Sequence, residues 1–350
     1  MQGQRTQNEP DSADPIIEVR DVSVTYDLEH REAMVLDDVS IDLRRGEILG
    51  VVGESGSGKS MLANAMMDAV EEPGITTGSV RYHPPDGEPV DILDLQPDEL
   101  KQFRWEEVSM VFQGALSSFN PTMSIRGHFE ETLEAHDYDV DEGMERARQL
   151  LSDLYLDPDR VLDSYAHELS GGMSQRALIA LSLILEPQVL LMDEPTAALD
   201  LLMQRSILSL LADIKEKYDL TILFITHDLP LVAGLSDRLA ILYAFELAEV
   251  GQSEQIAYNS KHPYTRALLR AVPNMDAPTE SMRPIEGTAP NPAHVPDGCH
   301  YAPRCPLATQ ECHEEKPPWI DVDEDHRSAC FHHDETEDAV PFDLSEVSDA

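Results

Sequence analysis

Apolar and polar positions alternate in short blocks along most of the chain. Blocks rich in Val, Ile and Leu predict buried strands at Ile16–Val19, Val22–Tyr26, Ile41–Leu43, Glu47–Val52, Val108–Phe112, Val189–Met192, Thr221–Thr226 and Arg238–Leu242. Segments of helical character predict helices at Ser60–Met67, Glu142–Leu154, Ser174–Leu185 and Gln204–Tyr218. This alternation predicts an α/β core built on a largely parallel sheet.

The pattern changes twice along the chain, and each change predicts a domain boundary. Residues from about 125 to 170 look mainly helical and interrupt the series of strands, so we expect an inserted helical subdomain. Prolines crowd the chain beyond Val272, which is typical of extended or turn-rich structure. We therefore expect a core domain at 15–272, an extension at 273–333, and flexible tails at 1–14 and 334–350.

Charge is the unusual feature of the composition. Asp and Glu number 67 against 25 Lys and Arg, giving a formal net charge of −42. Such a charge opposes nonspecific contact with nucleic acid or anionic lipid. The 41% of hydrophobic residues and the periodic segments argue against a disordered acidic protein. We expect a folded protein whose surface is adapted to high salt, where counterions screen the repulsion.

Neither a secretory signal nor a membrane span is expected. Residues Met1–Asp14 are polar, and the longest apolar runs, such as Val189–Met192 and Leu239–Phe245, fall far short of the roughly 20 residues that a spanning helix needs. The sequence therefore predicts a chain that would need a partner for any role at a membrane.

A glycine-rich segment follows a predicted strand and precedes a predicted helix. Gly53–Ser60 matches the phosphate-loop pattern in full, in which glycines let backbone N–H groups point at phosphate oxygens. Lys59 is expected against the β- and γ-phosphates of ATP, and the Ser60 hydroxyl on Mg²⁺. The expected nucleotide contacts are Gly53, Ser55, Gly56, Ser57, Gly58, Lys59, Ser60 and Met61.

Two carboxylates end the apolar run Val189–Met192. Such a run carries its terminal acids to the carboxyl edge of the sheet, where α/β proteins bind ligands. Asp193 suits the coordination sphere of Mg²⁺. Glu194 is the candidate general base for the attacking water.

Further motifs resemble those of the ABC ATPases. Leu169–Gln175 matches the signature of that family, Gln113 its Q-loop glutamine, residues 197–200 its D-loop, and His227 its switch histidine. The resemblance implies catalytic roles for Lys59, Gln113, Glu194 and His227, Gln113 also sensing Mg²⁺, and adenine stacking on Tyr26. It also implies contacts to the nucleotide of an opposite subunit from Ser170, Gly171, Gly172, Gln175 and Asp200.

Other segments resemble the dipeptide/oligopeptide importer ATPases. These are Tyr165–Glu168, with Ala166 replacing the usual proline, Met173 within the signature, His262–Leu269 and Pro303–Pro306. The resemblance spans Ile16 to His332 and departs at Leu201–Met203.

This second resemblance implies a peripheral subunit at the cytoplasmic face of the membrane that drives import of a peptide or similar solute. Its partners would be a paralogous ATPase, two permeases and a solute-binding protein, with no nucleic acid. The alternative is a soluble ABC ATPase that serves as a scaffold in iron–sulfur assembly or DNA repair.

All cysteines lie near the C-terminus, at Cys299, Cys305, Cys312 and Cys330, separated by five, six and seventeen residues. A reducing compartment disfavours disulfides, and the close pairs of a structural zinc site are absent, although histidines nearby could contribute. Four thiolates at irregular spacing suit a [4Fe–4S] cluster, which the family resemblance also implies in some members. Zinc, a disulfide and four unligated thiols remain the alternatives.

Overall fold

The computed structural model describes residues 14–28, 31–197, 199–271 and 285–341. The predicted tail at 1–14 therefore lies outside the described residues apart from Asp14. Ala198 of the predicted D-loop, the proline-rich residues 272–284 and the terminal residues 342–350 also lie outside them.

The strands and helices follow one another in a mixed order. The strands are β1 (Pro15–Leu28), β2 (Arg31–Arg44), β3 (Ile48–Val52), β4 (Gly74–Tyr82), β5 (Val90–Asp91), β6 (Val108–Val111), β7 (Val189–Asp193), β8 (Thr221–Thr226), β9 (Arg238–Tyr243), β10 (Glu246–Gln252), β11 (Ile320–Asp323) and β12 (His326–Ser328). The helices are α1 (Lys59–Met66), α2 (Pro97–Glu106), α3 (Ala115–Ser118), α4 (Ile125–Ala135), α5 (Val140–Asp153), α6 (Pro158–Leu162), α7 (Gly171–Ser182), α8 (Leu201–Tyr218), α9 (Leu229–Ala233), α10 (Ser253–Asn259), α11 (Pro263–Ala271), α12 (Gln310–Glu314) and α13 (Thr336–Ala339).

The larger sheet of the described chain has eight strands in the order β11-β12-β10-β9-β3-β8-β7-β6. Strands β9, β3, β8, β7 and β6 run parallel, as the alternating pattern predicts. The pairs β9–β10, β10–β12 and β12–β11 are antiparallel. A second sheet, of order β2-β1-β4-β5, is antiparallel throughout; the apolar runs alone did not predict this separate layer.

Both faces of the parallel strands are buried. In β3, Ile48 and Val52 belong to one core cluster, while Leu49 and Val51 belong to another. The first cluster includes the helical insertion, and the second packs α1 and the antiparallel sheet against the parallel strands. Burial on both faces explains why these strands read as continuous apolar runs.

Helices α4, α5 and α6 of the helical insertion lie between β6 and β7. Its α4 begins after Ser124, whose side chain accepts a hydrogen bond from the Gly127 N–H at 3.2 Å, as an N-cap should. Phe129 and Leu133 of α4 and Leu150 of α5 are buried in the first core cluster. The insertion is therefore joined to the main core by continuous apolar packing.

The C-terminal extension continues the core sheet. Strand β12 pairs with β10, Val250 lying opposite Arg327. Beneath this pairing, the His326 Nε2 lies 2.8 Å from a Glu249 carboxylate oxygen, and both side chains are 0% exposed. The same carboxylate accepts the backbone N–H of Lys261 and of His262, which fixes the start of α11.

The chain beyond Asp334 differs from the predicted tail. Residues Thr336–Ala339 form α13, which packs against α11. The Thr336 hydroxyl donates to the Lys261 carbonyl at 3.0 Å, and Arg266 donates to the Val340 carbonyl at 2.6 Å. These contacts dock the first part of the acidic segment, a local packing effect that composition does not reveal. Among the described residues, none of the helices combines the length and apolar character needed to cross a bilayer.

Candidate functional site

The glycine-rich segment Gly53–Ser60 forms the turn between β3 and α1. Gly58 precedes the helix with a φ of 105°, a backbone conformation that residues other than glycine rarely adopt. At Gly53 a Cβ atom would lie 2.1 Å from the Leu242 carbonyl oxygen. Only glycine fits at these two positions, so the motif reflects real steric limits.

The ammonium of Lys59 lies inside the curl of this loop. It donates to the carbonyl oxygens of Gly53 at 2.8 Å and Glu54 at 2.9 Å, and the residue is 5% exposed. Burial lowers its pKa, an effect opposed by the carboxylates of Glu194, Asp193 and Glu54. A buried cation held only by carbonyl oxygens is well placed to bind an anion such as phosphate.

Asp193 at the end of β7 fits a divalent cation. It is 7% exposed, and its Oδ1 has no hydrogen-bond partner among the described residues. Burial raises its pKa, and a hydrogen bond with Ser60 opposes that rise. A carboxylate oxygen without a partner, beside a hydroxyl, is a donor set that Mg²⁺ prefers.

Glu194 is held between the two other predicted catalytic side chains. Gln113 donates from Nε2 to Glu194 Oε2 at 3.3 Å, and His227 Nδ1 lies 3.2 Å from Oε1. The Glu194 backbone has a φ of 45° and its N–H donates to the Ile225 carbonyl at 3.0 Å. This strained conformation, common at functional sites, presents the carboxylate where it can polarise a water molecule.

The predicted signature opens α7. The helix begins at Gly171 rather than at Ser174, because Ser170 is its N-cap and accepts the Met173 N–H at 3.3 Å. Ser170 and Gly171 are exposed, so the first turn offers N–H groups to an anion outside the chain. Gln175 is only 4% exposed and lies beneath this surface.

The two remaining residues that were predicted to contact nucleotide, Asp200 and Tyr26, also have structural roles. Asp200 caps α8 by accepting the N–H groups of Leu202 and Met203, each at 3.0 Å. Tyr26 is half-buried against the second core cluster, and a Cβ at Gly74 would lie 2.8 Å from its ring. Part of the Tyr26 ring is therefore used in packing.

The cysteines line one pocket in the extension, together with His262, Tyr301 and Phe331 among others. The four are Cys299, Cys305, Cys312 and Cys330, all present as free thiols, which leaves the disulfide alternative without support. Their sulfurs do not form a group with all ligand atoms within 4.8 Å of one another; the only such group in the described chain is Asp37, Glu246 and His300.

Burial suppresses ionisation of three of these thiols, those of Cys299, Cys305 and Cys330. It raises the pKa of Cys299 and of Cys305 to about 11, and the pKa of Cys330 to about 12. Four thiols around one pocket, two of them buried and two half-buried, could supply several thiolate ligands to one group. A single zinc ion fits less well, since Zn–S bonds of 2.3 Å would hold tetrahedral sulfurs roughly 3.8 Å apart.

Three residues around the phosphate loop were not singled out as site residues from the sequence. The Arg304 guanidinium lies against the Glu54 carboxylate, with Nη1–Oε2 at 2.7 Å. The Tyr264 hydroxyl accepts the Glu54 N–H at 2.9 Å. The available signal was position: Tyr264 lies within His262–Leu269 and Arg304 within Pro303–Pro306, the two segments that resemble the peptide-importer ATPases.

The chain is similar to known proteins over most of its length. The sequence model described as ABC transporter matches residues 36–197, and the one described as oligopeptide/dipeptide transporter, C-terminal region, matches residues 248–312. Dipeptide transport ATP-binding protein DppD of Caldanaerobacter subterraneus subsp. tengcongensis is 39% identical over 323 residues, covering 91% of this chain and 98% of that protein.

Two further similarities agree with this one. Oligopeptide transport ATP-binding protein OppD of Escherichia coli (strain K12) is 38% identical over 321 residues, covering 91% of this chain and 94% of that protein. The dimeric structure of MJ0796, a bacterial ABC transporter cassette, aligns with a TM-score of 0.59 and 27% identity over 68% of this chain and 98% of that one. The predicted α/β fold class is confirmed by this structural match.

Proposed function

Because the chain belongs to the ABC transporter family, among the ATP-binding subunits of dipeptide and oligopeptide importers, we propose that it hydrolyses ATP to power import of peptides across a membrane. The observation that best supports ATPase activity is the position of the Glu194 carboxylate, which directly follows β7 and is held between Gln113 and His227. The soluble scaffold role is not favoured, because the match to the transporter C-terminal region covers residues 248–312.

Hydrolysis would proceed by positioning and charge stabilisation, with little covalent chemistry by the protein. Lys59 would leave the carbonyls that it contacts and bind the terminal phosphates. Ser60, Asp193 and Gln113 would hold Mg²⁺, which, when bound, neutralises phosphate charge. Glu194 would accept the proton of the attacking water, while His227 orients that water and the γ-phosphate.

The ATP site would be completed by a second ATPase subunit. Exposed Ser170, Gly171 and Asp200 would face the nucleotide bound by that subunit, and buried Gly172 and Gln175 would support them from beneath. Next to Asp200, the side chains of Leu201 and Leu202 are 72% and 79% exposed, which favours burial against a partner. Met173 in the signature supports a paralogue rather than a second copy as that partner.

The assembled transporter would also contain two membrane permeases and a solute-binding protein, with this subunit at the cytoplasmic face of the membrane. The relatives named as dipeptide and oligopeptide transport proteins support this arrangement. The net charge of −42 argues against nucleic acid as a partner.

Reconstitution tests the proposal. The chain is co-expressed with a paralogous ATPase and two permeases of this importer type and assembled in vesicles, and uptake of labelled di- and oligopeptides is measured with and without ATP. Glu194→Gln should bind ATP while turnover falls by about 10²–10⁴-fold, and Glu216→Gln, on the exposed face of α8, is the matched control. Normal turnover in Glu194→Gln would remove this residue from catalysis, and ATP hydrolysis without peptide uptake would refute peptide import.

We further propose that the cysteine pocket holds a [4Fe–4S] cluster, with a zinc ion as the alternative. The position of the four thiols around one pocket supports the cluster, which would hold the extension together. Iron, acid-labile sulfide and zinc are assayed on anaerobically purified protein, with Cys299→Ser as the variant. Four irons per chain would support the cluster, and iron-free, colourless protein would rule it out.

The acidic composition leads to a proposal about solvent. We propose that the protein comes from a high-salt organism and is adapted to that medium, because screening by counterions reduces repulsion among 67 acidic residues. The melting temperature should rise steeply with KCl between dilute and molar concentrations. A melting temperature indifferent to KCl would contradict the proposal.

We also propose the following domain boundaries along the chain. Residues 15–272, with the helical insertion at about 125–170, would form the ATPase unit, and residues 273–333 the accessory unit with the cysteines. Because β12 joins the sheet of the ATPase unit, we expect the two to unfold in one transition, which calorimetry would reveal; two separate transitions would contradict this.

A further inference from the structure

The second residue of the phosphate loop is bound by the extension. The Arg304 guanidinium contacts both carboxylate oxygens of Glu54, with Nη1–Oε2 at 2.7 Å and Nη2–Oε1 at 3.1 Å. The Arg304 side chain is 5% exposed and that of Glu54 is 29% exposed. A bidentate pair that is largely shielded from water is strong and directional.

Arg304 is itself fixed in place. Its Nε donates to the Glu286 carbonyl at 2.8 Å, and its Nη1 also donates to the Tyr243 hydroxyl at 3.2 Å. The guanidinium lies 5.6 Å from the centre of the Tyr243 ring. The hydrogen bond with Glu54 raises the pKa of Arg304 despite the opposing effect of burial. The side chain is therefore a rigid support rather than a mobile surface charge.

Every polar group of Glu54 is occupied. Its N–H donates to the Tyr264 hydroxyl at 2.9 Å, its carbonyl accepts Lys59 Nζ at 2.9 Å, and its carboxylate binds Arg304. Tyr264 is 0% exposed, and its ring lies 4.4 Å from that of Tyr243. We call these contacts of Tyr264, Lys59 and Arg304 to Glu54 the Glu54 clamp.

We propose that Arg304 and Tyr264 are positioning residues for the ATP reaction, acting through Glu54 on the phosphate loop. The proposal rests on the ATPase activity proposed above, since it concerns the same loop. When Lys59 turns towards phosphate, the N–H of Glu54 stays anchored to Tyr264 of α11 and its carboxylate to Arg304 of the extension. The phosphate loop thus keeps its conformation after Lys59 has left the two carbonyl oxygens. The entropy cost of ordering the loop when the nucleotide binds is therefore smaller.

Equilibrium binding and kinetics test this role together. The variants are Arg304→Met, Glu54→Gln, their combination and Tyr264→Phe, which keeps the ring and removes only the hydroxyl. Loss of one charged hydrogen bond corresponds to about tenfold or more in affinity. We expect Kd for MgADP and KM for ATP to rise about tenfold with a smaller change in kcat, and the double variant to be little worse than either single variant.

A second core–extension ion pair supplies the control. Arg44 binds both carboxylate oxygens of Asp325, at 3.0 and 2.9 Å, and within the described residues no ion pair joins it to the phosphate loop. Arg44→Met should lower the melting temperature at most, with nucleotide affinity unchanged. If Arg304 only docks the extension, Arg304→Met will behave like Arg44→Met, and Glu54→Gln and Tyr264→Phe will bind MgADP normally; that result overturns the proposal. Absence of ATP turnover in the wild-type assembly would instead refute the proposed function.

Discussion

Removing the Glu249 carboxylate should destabilise the whole chain, because this group joins the core to the extension. It is 0% exposed and accepts hydrogen bonds from His326 Nε2 and from the backbone N–H groups of Lys261 and His262. Glu249→Ala leaves all three donors without this acceptor. Breaking a buried pair costs about 3–5 kcal/mol, whereas an exposed substitution stays within about 0.5 kcal/mol. We therefore expect a loss of about 3–5 kcal/mol in the free energy of unfolding.

Urea unfolding followed by circular dichroism measures this loss as a shift of the midpoint at constant slope. Glu249→Gln keeps one carbonyl acceptor, so its loss should be smaller, at about 2 kcal/mol. Glu216→Ala, exposed on α8, is the control and should unfold like the wild type. A loss below about 1 kcal/mol for Glu249→Ala would refute the reasoning, because it would mean that water or other groups satisfy the three donors.

Three further predictions concern the loop, the subunit interface and pH. Gly53→Ala should abolish MgADP binding, measured by fluorescence titration, because its Cβ would lie 2.1 Å from the Leu242 carbonyl oxygen. Ser170→Arg should leave MgADP binding by the isolated chain unchanged and suppress ATP turnover by the assembled transporter; equal turnover would contradict a role in trans. Burial raises the pKa of Glu246 from 4.5 to about 7. The stability that its protonated form contributes is therefore fully present below the pKa of the unfolded chain, and it is lost as the pH rises through the pKa of the folded chain. Glu246→Gln should therefore lose less melting temperature than the wild type between about pH 4.5 and pH 7, and an equal loss would show that this carboxyl is not responsible.

The parallel strands could be predicted because burial on two faces leaves a continuous apolar run. Val189–Met192 and Thr221–Thr226 became β7 and β8 nearly unchanged. Strand β12, by contrast, contains His326 and Arg327, and nothing in such a short polar segment indicates a strand. It forms because Glu249 on the neighbouring strand supplies a buried partner for His326, a contact between residues far apart in sequence.

In the candidate site, too, some features could be predicted from the sequence and others could not. Gln113, Glu194 and His227 were predicted from order and motif, and the structure brings them within hydrogen-bond distance. The start of α7 was placed too late because the two glycines after Ser170 disfavour helix by propensity, whereas the Ser170 cap stabilises the first turn. Arg304 could not be placed near Glu54 from sequence, since the proline-rich residues between α11 and Arg304 do not specify a direction.

The pairing of β12 with β10 has a consequence for protein synthesis. During translation the chain through Gln252 emerges from the ribosome well before His326, and domains generally begin to fold from their N-terminal part. Until the last residues appear, β10 presents an open row of N–H and C=O groups that other chains can pair with. Ribosome stalling or premature release after α11 would thus yield a nascent chain with an unprotected sheet edge, and such fragments are expected to require chaperones or rapid degradation.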